Sequence, residues 1–245
     1  MLTAHKVPPV ANSTLVKQRS EAFGSAVALK SAMALTGVIL VLFLIAHMYG
    51  NLMIFGGQQT FDTYSQHLRE IGEPMLPHEG FLWIMRVVLL ASVLVHAYAA
   101  FALWARANRA RPAGQRYVVK KSAQTPSRKY ATQTMRWGGI IVVLFVVYHV
   151  LHLTTNTIHP GGASASPYER VVNGFQVWWV TLSYVIALLA VGLHLRHGIW
   201  SALATLGLNR QSREGALHVV SNVLAAVITV GFLVPPFSVL FGLVS

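Results

Sequence analysis

The chain has 245 residues, of which 54% are hydrophobic and 11% are charged. A soluble domain carries about 25% charged residues, so this chain has too few charges to cover a surface in water. Disorder is excluded as well, because disordered chains combine low hydrophobicity with high charge. The composition therefore predicts an integral membrane protein.

Five stretches are long and apolar enough to cross a bilayer as helices, which takes about 20 residues each. Their approximate bounds are 29–55, 81–104, 135–154, 175–206 and 217–244. None has the alternation of a membrane β-barrel. We expect an all-α integral membrane protein with five transmembrane helices in one domain (29–245), after a polar N-terminal segment (1–28) without a signal-peptide pattern. Pro235 and Pro236 predict a kink or break near the end of the fifth span.

The net charge of +12 is unevenly distributed between the loops. Lysine and arginine concentrate in the N-terminal segment, in the loop 106–130 and in the loop between spans four and five. The positive-inside rule therefore predicts a multi-pass protein of the plasma (inner) membrane with a cytoplasmic N-terminus and an outside C-terminus. This topology explains the charge without a nucleic-acid partner, and we expect loop 106–130 to contact lipid headgroups or an acidic partner.

Histidine inside a membrane span is costly and marks a candidate functional site. Each of the first four spans contains at least one histidine. These histidines are His47, His96, His149 with His152, and His194 with His197.

An internal repeat relates the first span to the third. TGVILVLFLIAHM, which ends one residue after His47, aligns without gaps with GGIIVVLFVVYHV, which ends one residue after His149. Each of these histidines follows a glycine, Gly37 or Gly139, by ten residues. The repeat therefore favours His149 over His152 as the equivalent of His47.

A weaker repeat relates the second span to the fourth. VVLLASVLVHAYAAFALW aligns with VIALLAVGLHLRHGIWSA, which places His96 on His194. The two repeats select one histidine from each span. We expect the remaining two, His152 and His197, to pack in the bundle or to bond a propionate.

Depth in the bilayer sorts the four selected histidines into two pairs. His47 lies 17 residues beyond the last lysine before it, and both it and His149 lie roughly 20–25 Å from the cytoplasmic boundary at about 1.5 Å per residue. His96 lies only ten residues before the arginine that ends its span, and His194 also lies in the cytoplasmic half. We therefore define an outer pair, His47 with His149, and an inner pair, His96 with His194.

Two imidazole pairs at two depths suit two b-type haems, because each iron takes one neutral imidazole from either side of the porphyrin plane. With both axial positions filled, the expected task is electron transfer. Small residues near the ligands, Gly37 and Gly139 among them, would allow close approach of a helix or macrocycle. Arg86 and Arg196 are expected to pair with haem propionates.

Two other interpretations of the histidines are weaker. A zinc site is disfavoured because the pairs are separated in depth and few carboxylates are available. A haem-free transporter with a proton relay usually brings intramembrane Asp or Glu, and these spans have essentially none. A transporter or an assembly scaffold remains the alternative from a different class of function.

Several segments resemble a known family. LHLRHGIWSALATLG (193–207) resembles the H-x-x-x-G-[IL]-[WYR] segment in membrane anchors of succinate:quinone oxidoreductases, whose haem-ligating histidine corresponds to His194. HMYGNLMIF and HLREIGEPMLPHEGFLWIMRV resemble the actinobacterial branch, in which a single-chain, five-helix anchor holds two haems. The resemblance covers residues 28–244.

This resemblance implies a cytochrome b subunit of succinate dehydrogenase or of a fumarate reductase. It implies that the inner pair ligates the haem nearer the cytoplasm and the outer pair ligates the distal one. A flavoprotein subunit and an iron–sulfur subunit would be separate chains on the cytoplasmic face. The absence of cysteine fits, because this chain cannot bind iron–sulfur clusters through thiolates. A two-haem cytochrome b that anchors a hydrogenase or a nitrate reductase is the nearest alternative.

The quinone implied by the resemblance is menaquinone, reduced near the outer haem by electrons from succinate. The loop between spans one and two supplies candidates for quinone binding and proton transfer, although the same residues would suit a solvated loop. These candidates are Arg69, Glu70, Glu73 and His78, with Glu79. A rival quinone pocket on the cytoplasmic side would lie near Lys30 and Ser31.

Overall fold

The structure is a computed structural model that describes residues 25–109 and 126–245, with only the backbone described from 126 to 134. The predicted N-terminal segment 1–28 lies almost wholly outside these residues, as does most of the basic loop 106–130. Within the described residues the chain forms seven α-helices and no strand. They are α1 (Ala26–Leu52), α2 (Gly57–Glu70), α3 (Gly80–Arg109), α4 (Pro126–His149), α5 (Pro167–Gln176), α6 (Trp178–Thr205) and α7 (Glu214–Leu240).

Five helical stretches in the described part of the chain are long and apolar enough to cross a membrane. They are Ala26–Glu70, Gly80–Arg109, Met135–Thr154, Trp178–Thr205 and Gln211–Leu240. Many large apolar side chains on them face outward, as Leu94 does with 61% of its surface exposed. Such exposure is costly in water and normal against lipid tails. The prediction of an all-helical chain with five membrane-spanning helices is therefore confirmed by length and composition.

The helices pack according to the internal repeat. Helix α1 packs against α3, and α4 packs against α6, so that each half of the repeat forms a helix pair. Helices α1 and α6 join the two halves at the centre, and α7 packs against both of them. The four helices that carry the selected histidines therefore form one bundle, with α7 along one side.

One end of the bundle is covered by the short helices α2 and α5, and we call it the capped end. Asp62 on α2 accepts hydrogen bonds from the Ser166 hydroxyl at 2.6 Å and from the Tyr168 N–H at 3.0 Å. Phe61 packs edge-on against Tyr168, and the Tyr168 hydroxyl donates to the Ser245 carbonyl at 3.1 Å. The largest cluster of buried side chains lies here. We call the opposite end, which contains Lys30 and Arg106, the basic end.

Two segments differ from the sequence predictions at the capped end. The region after span one was expected to be a loop, but residues 57–70 form α2. The predicted fourth span began at Phe175, but the chain breaks at Val177, whose backbone is extended, and the spanning helix begins at Trp178. The Thr181 hydroxyl donates to the Phe175 carbonyl at 2.7 Å and so satisfies an acceptor that the break leaves open.

A kink or break was expected at Pro235 and Pro236, and the break is absent, because α7 continues through both residues to Leu240. The two prolines remove two backbone donors close to the end of a 27-residue helix. Both rings are buried among neighbouring helices, and this packing stabilises the helical path.

Candidate functional site

The inner pair comes together across the bundle as predicted. His96 lies on α3 and His194 on α6, and the centres of their rings are 6.2 Å apart with an angle of 61° between the ring planes. These two helices are not among the closely packed pairs of the described helices. The imidazoles therefore face each other across a gap between helices.

The outer pair has the same arrangement. His47 on α1 and His149 at the end of α4 have ring centres 5.8 Å apart and ring planes at 84°. Phe43 stacks on His47 at 5.2 Å, and Phe145 packs on His149 at 5.7 Å, so the repeat-related phenylalanines occupy the same place beside each histidine. As with the inner pair, the two helices involved are not closely packed against each other in the described part of the chain.

The repeat glycines lie at the level of the inner pair. A Cβ atom on Gly37 would lie 3.4 Å from Cε1 of His96, and one on Gly139 would lie 3.7 Å from Cε1 of His194. Since His47 follows Gly37 by ten residues, the outer pair lies about 15 Å farther along the bundle at about 1.5 Å per residue. The inner and outer histidine pairs therefore lie at two different levels of the bundle, as the sequence predicts.

The spacing within each pair fits two ligands on one metal. A metal–imidazole bond is about 2 Å long and the ligating nitrogen lies about 1 Å from the ring centre, so two opposed ligands have ring centres about 6 Å apart. The four histidines are only partly buried, so part of the surface of each remains free to contact a bound group. Among the described residues no group of three or more His, Cys, Asp or Glu could hold a bare metal ion. A metal that brings its equatorial ligands within a macrocycle, as haem iron does, fits this donor set.

The two histidines of the inner pair have different hydrogen-bond partners. His96 Nδ1 lies 3.0 Å from the Met33 carbonyl and 3.3 Å from the Thr36 hydroxyl, both on α1. Nδ1 of His194 is buried and has no hydrogen-bond partner among the described residues. The carbonyl accepts only, so the proton of His96 is on Nδ1 and the lone pair of Nε2 is free for a metal.

Tyr184 on α6 belongs to the outer site and was not singled out from the sequence. Its hydroxyl lies 2.9 Å from Nδ1 of His152 and 3.4 Å from Nδ1 of His149. His152, only 3% exposed, also packs against Gly174, where a Cβ atom would lie 2.6 Å from the ring. His152 therefore packs in the bundle, which is one of the two roles expected for it. In the sequence, Tyr184 could have been recognised as a candidate because it is a tyrosine within an apolar span.

Three arginines surround a cleft of about 220 Å³ at the capped end. Its walls include Leu153 and Thr154, which lie at the end of the short π-helical segment Val150–Thr154 that follows His149. The arginines are Arg69, Arg86 and Arg170.

The carboxylate of Glu79 forms ion pairs with two of these arginines. It accepts from Arg69 at 3.1 Å and lies 3.5 Å from Arg86. Arg170 instead donates to the Ser164 carbonyl at 2.7 Å. Three guanidinium groups with one shared carboxylate leave the cleft positively charged and suited to an anionic group.

The remaining candidates of the loop before α3 lie apart from this cleft. His78 pairs with Glu73 at 3.0 Å, and both side chains are exposed. Glu70 is exposed and accepts from Gln66 on its own helix at 3.2 Å. Of the predicted quinone and proton-transfer residues, the structure therefore brings only Arg69, with Glu79, to the arginine cleft.

A second cavity, of about 420 Å³, opens at the basic end. It lies between α1, α3 and α6 and is lined by Lys30, Ser31 and Met33, with Leu103 and Thr205 opposite. Because the Met33 carbonyl bonds His96, this cavity adjoins the inner pair. Its position agrees with the rival quinone pocket expected near Lys30 and Ser31.

Arg196 is not placed beside the inner pair. It donates to Asn222 on α7 at 2.9 Å. Two residues along a helix correspond to a rotation of about 200°, so Arg196 lies on the opposite face of α6 from His194. His197 contacts Trp200, and Trp200 stacks on His218 at 5.2 Å.

The described residues thus offer two facing histidine pairs at two depths, a cleft lined by three arginines at the capped end, and a cavity lined by apolar side chains, hydroxyl groups and Lys30 at the basic end. This arrangement can hold two planar metal complexes and a small amphipathic molecule at either end. No protein-family model, curated protein or solved structure matches this chain.

Proposed function

We propose that the chain is a two-haem cytochrome b that anchors a succinate:quinone oxidoreductase in the membrane and transfers electrons to a quinone. The observation that carries the proposal is the presence of two histidine pairs. The ring centres are 6.2 Å apart in the inner pair and 5.8 Å apart in the outer pair. Each spacing suits one metal between two imidazoles. Each b haem would supply a one-electron carrier, and one histidine from each of two helices would hold it.

The chain's own residues hold and orient the two groups. His96 with His194 would hold the inner haem, and His47 with His149 the outer one. The Met33 carbonyl sets the tautomer of His96, and Phe43 and Phe145 pack on the rings of the outer histidines.

The arginine cleft supports a carboxylate-binding role at the capped end. Arg86 was expected to pair with a haem propionate, and Arg69 and Arg170 line the same cleft. Guanidinium groups bind carboxylates through two parallel hydrogen bonds. The location beside Leu153 and Thr154, one turn beyond His149, places this charge next to the outer pair.

The partners in this proposal are a flavoprotein subunit and an iron–sulfur subunit, with quinone as substrate. The complete absence of cysteine supports separate chains for the clusters. The arginine cleft and the cavity at the basic end are two candidate quinone sites, and the cavity is the larger, at about 420 Å³ against about 220 Å³. Menaquinone is the quinone that the sequence resemblance implies, and fumarate reductase would share the same arrangement.

A reduced-minus-oxidised spectrum of the purified chain tests the haem proposal. We expect a b-type α band with two components. His194→Ala should remove the inner component, and His47→Ala should remove the outer one. His197→Ala is the matched control, since this histidine lies on the same helix as His194 and outside either pair. A chain without a b-type band would exclude the proposal and favour a haem-free transporter or scaffold.

Copurification separates this anchor from that of another dehydrogenase. Affinity purification of the tagged chain from its native membrane should recover a flavoprotein and an iron–sulfur protein, with succinate-dependent reduction of a menaquinone analogue. Recovery of a hydrogenase or nitrate reductase instead would retain the haem proposal and replace the succinate:quinone oxidoreductase.

A further inference from the structure

The hydrogen bonds around Thr36 fix the direction in which its hydroxyl acts. Thr36 is 9% exposed, and its hydroxyl proton points to carbonyls of its own helix, that of Ala32 at 2.7 Å and that of Met33 at 3.2 Å. A hydroxyl has one proton, so its oxygen can only accept from a further neighbour. That neighbour is His96, whose Nδ1 lies 3.3 Å away. The N–H of His96 is therefore shared between Thr36 and the Met33 carbonyl.

The other half of the repeat lacks this hydroxyl. Gly138 occupies the position of Thr36 in the gapless alignment of the first and third spans. The histidine next to that half is His194, whose Nδ1 is buried without a partner among the described residues. A difference in one residue of the repeat thus coincides with a difference in hydrogen bonding within the inner pair.

We infer that Thr36 is a positioning residue that adds to the hydrogen bond from the Met33 carbonyl and so increases the difference between the two ligands of the inner pair. This inference rests on the proposed haem function. A hydrogen bond from Nδ1–H to an acceptor holds the ring orientation and raises the basicity of a ligating imidazole. A more basic ligand favours the ferric over the ferrous state. Thr36 therefore acts through His96 to lower the reduction potential of the inner haem.

Thr36→Val tests this role because valine has the same shape and cannot accept a hydrogen bond. The Met33 carbonyl remains, so His96 keeps its tautomer and the haem stays bound. In a potentiometric titration of the purified chain, the ratio of reduced to oxidised inner haem at a fixed ambient potential should increase about threefold, since one net hydrogen bond contributes modestly. The outer haem should titrate as in the unmodified chain, and Thr36→Ser should restore the inner value.

Thr229→Val is the matched control. The Thr229 hydroxyl donates to the Ala225 carbonyl at 2.6 Å, four residues earlier on its own helix, as Thr36 does to Ala32. Thr229 packs against Gly192. Its replacement removes the same intrahelical bond, and it should leave both haem potentials unchanged.

Three outcomes would overturn the inference. They are an unchanged inner potential in Thr36→Val with haem retained, an equal shift in Thr229→Val, and failure of Thr36→Ser to restore the potential. Should Thr36→Val not assemble, Thr36→Ala removes the hydroxyl without adding a second methyl group and carries the same expectation. The ferric low-spin resonance of the inner haem provides a second measurement. An unmodified chain without haem would refute the proposed function itself, which distinguishes the two failures.

Discussion

Two glycines, Gly37 and Gly139, lie beside the histidines of the inner pair. Gly37 and Gly139 each leave van der Waals room beside a histidine carbon that neighbours the metal-binding nitrogen. Because a glycine in a helix interior costs about 0.5–1 kcal/mol relative to alanine, these positions sacrifice helix stability for space. The two glycines have equivalent positions in the repeat, so the same room is provided on both sides of the inner pair.

Gly37→Ala should lower the occupancy of the inner haem. The new methyl group would lie 3.4 Å from Cε1 and 3.7 Å from Nδ1 of His96, and this contact would restrict the orientation of the imidazole. Haem content per chain, measured by the pyridine haemochrome assay, should fall toward one haem, with the outer component of the spectrum preserved. Gly215→Ala is the control, because nothing lies within 4 Å of a Cβ atom at that helical position and Gly215 lies at the start of α7, outside both pairs. Equal losses in both variants would contradict a local effect at His96.

The histidine pairs could be predicted from the sequence, and the residues around them could not. His47 and His149 are recognisable because a gapless repeat and equal depth both select them. Tyr184 contacts His149 and His152 from another helix, and such a contact depends on helix rotation, which a nearly uniformly apolar span does not reveal.

Helices α2 and α5 were not predicted from the sequence, although their apolar residues recur with a helical period. Residues 57–70 are polar and carry charges, so they resemble a loop, yet their apolar residues lie on one face and pack against α5. The break at Val177 is hidden for the opposite reason, because apolar residues flank it on both sides. The two short helices are joined through Asp62, whose carboxylate bonds the first turn of α5.

Asp62→Ala should loosen the capped end and spare the basic end. It leaves the Tyr168 N–H and the Ser166 hydroxyl without their shared acceptor, a loss of about 1–2 kcal/mol. Limited proteolysis in detergent should cut within 57–70 or 155–176 faster, and the outer haem should be lost at a lower temperature than the inner one. Gln66→Ala is the control, since Gln66 donates to Glu70 on its own helix and makes no contact that joins α2 to α5 among the described residues. Loss of both haems at the same temperature would show that the bundle unfolds as one unit.

At the scale of the whole molecule, the basic end, the inner pair, the outer pair and the capped end follow one another along the bundle. The inner pair lies nearer the basic end, and the outer pair lies about 15 Å farther along, below the cap formed by α2 and α5. Electrons delivered at the basic end would pass from the inner to the outer level. The direction of this path across the membrane depends on which end faces the cytoplasm, which the distribution of lysine and arginine predicts.

Single cysteines can test this orientation directly, since the chain has none of its own. Met75 is 93% exposed at the capped end, and Ser212 is exposed at the basic end. A membrane-impermeant maleimide added to intact cells should label Met75→Cys, because the positive-inside rule places that end outside. It should label Ser212→Cys only after the membrane is opened. The reverse pattern would invert the topology, and electron transfer toward the outer pair would then run into the cytoplasm.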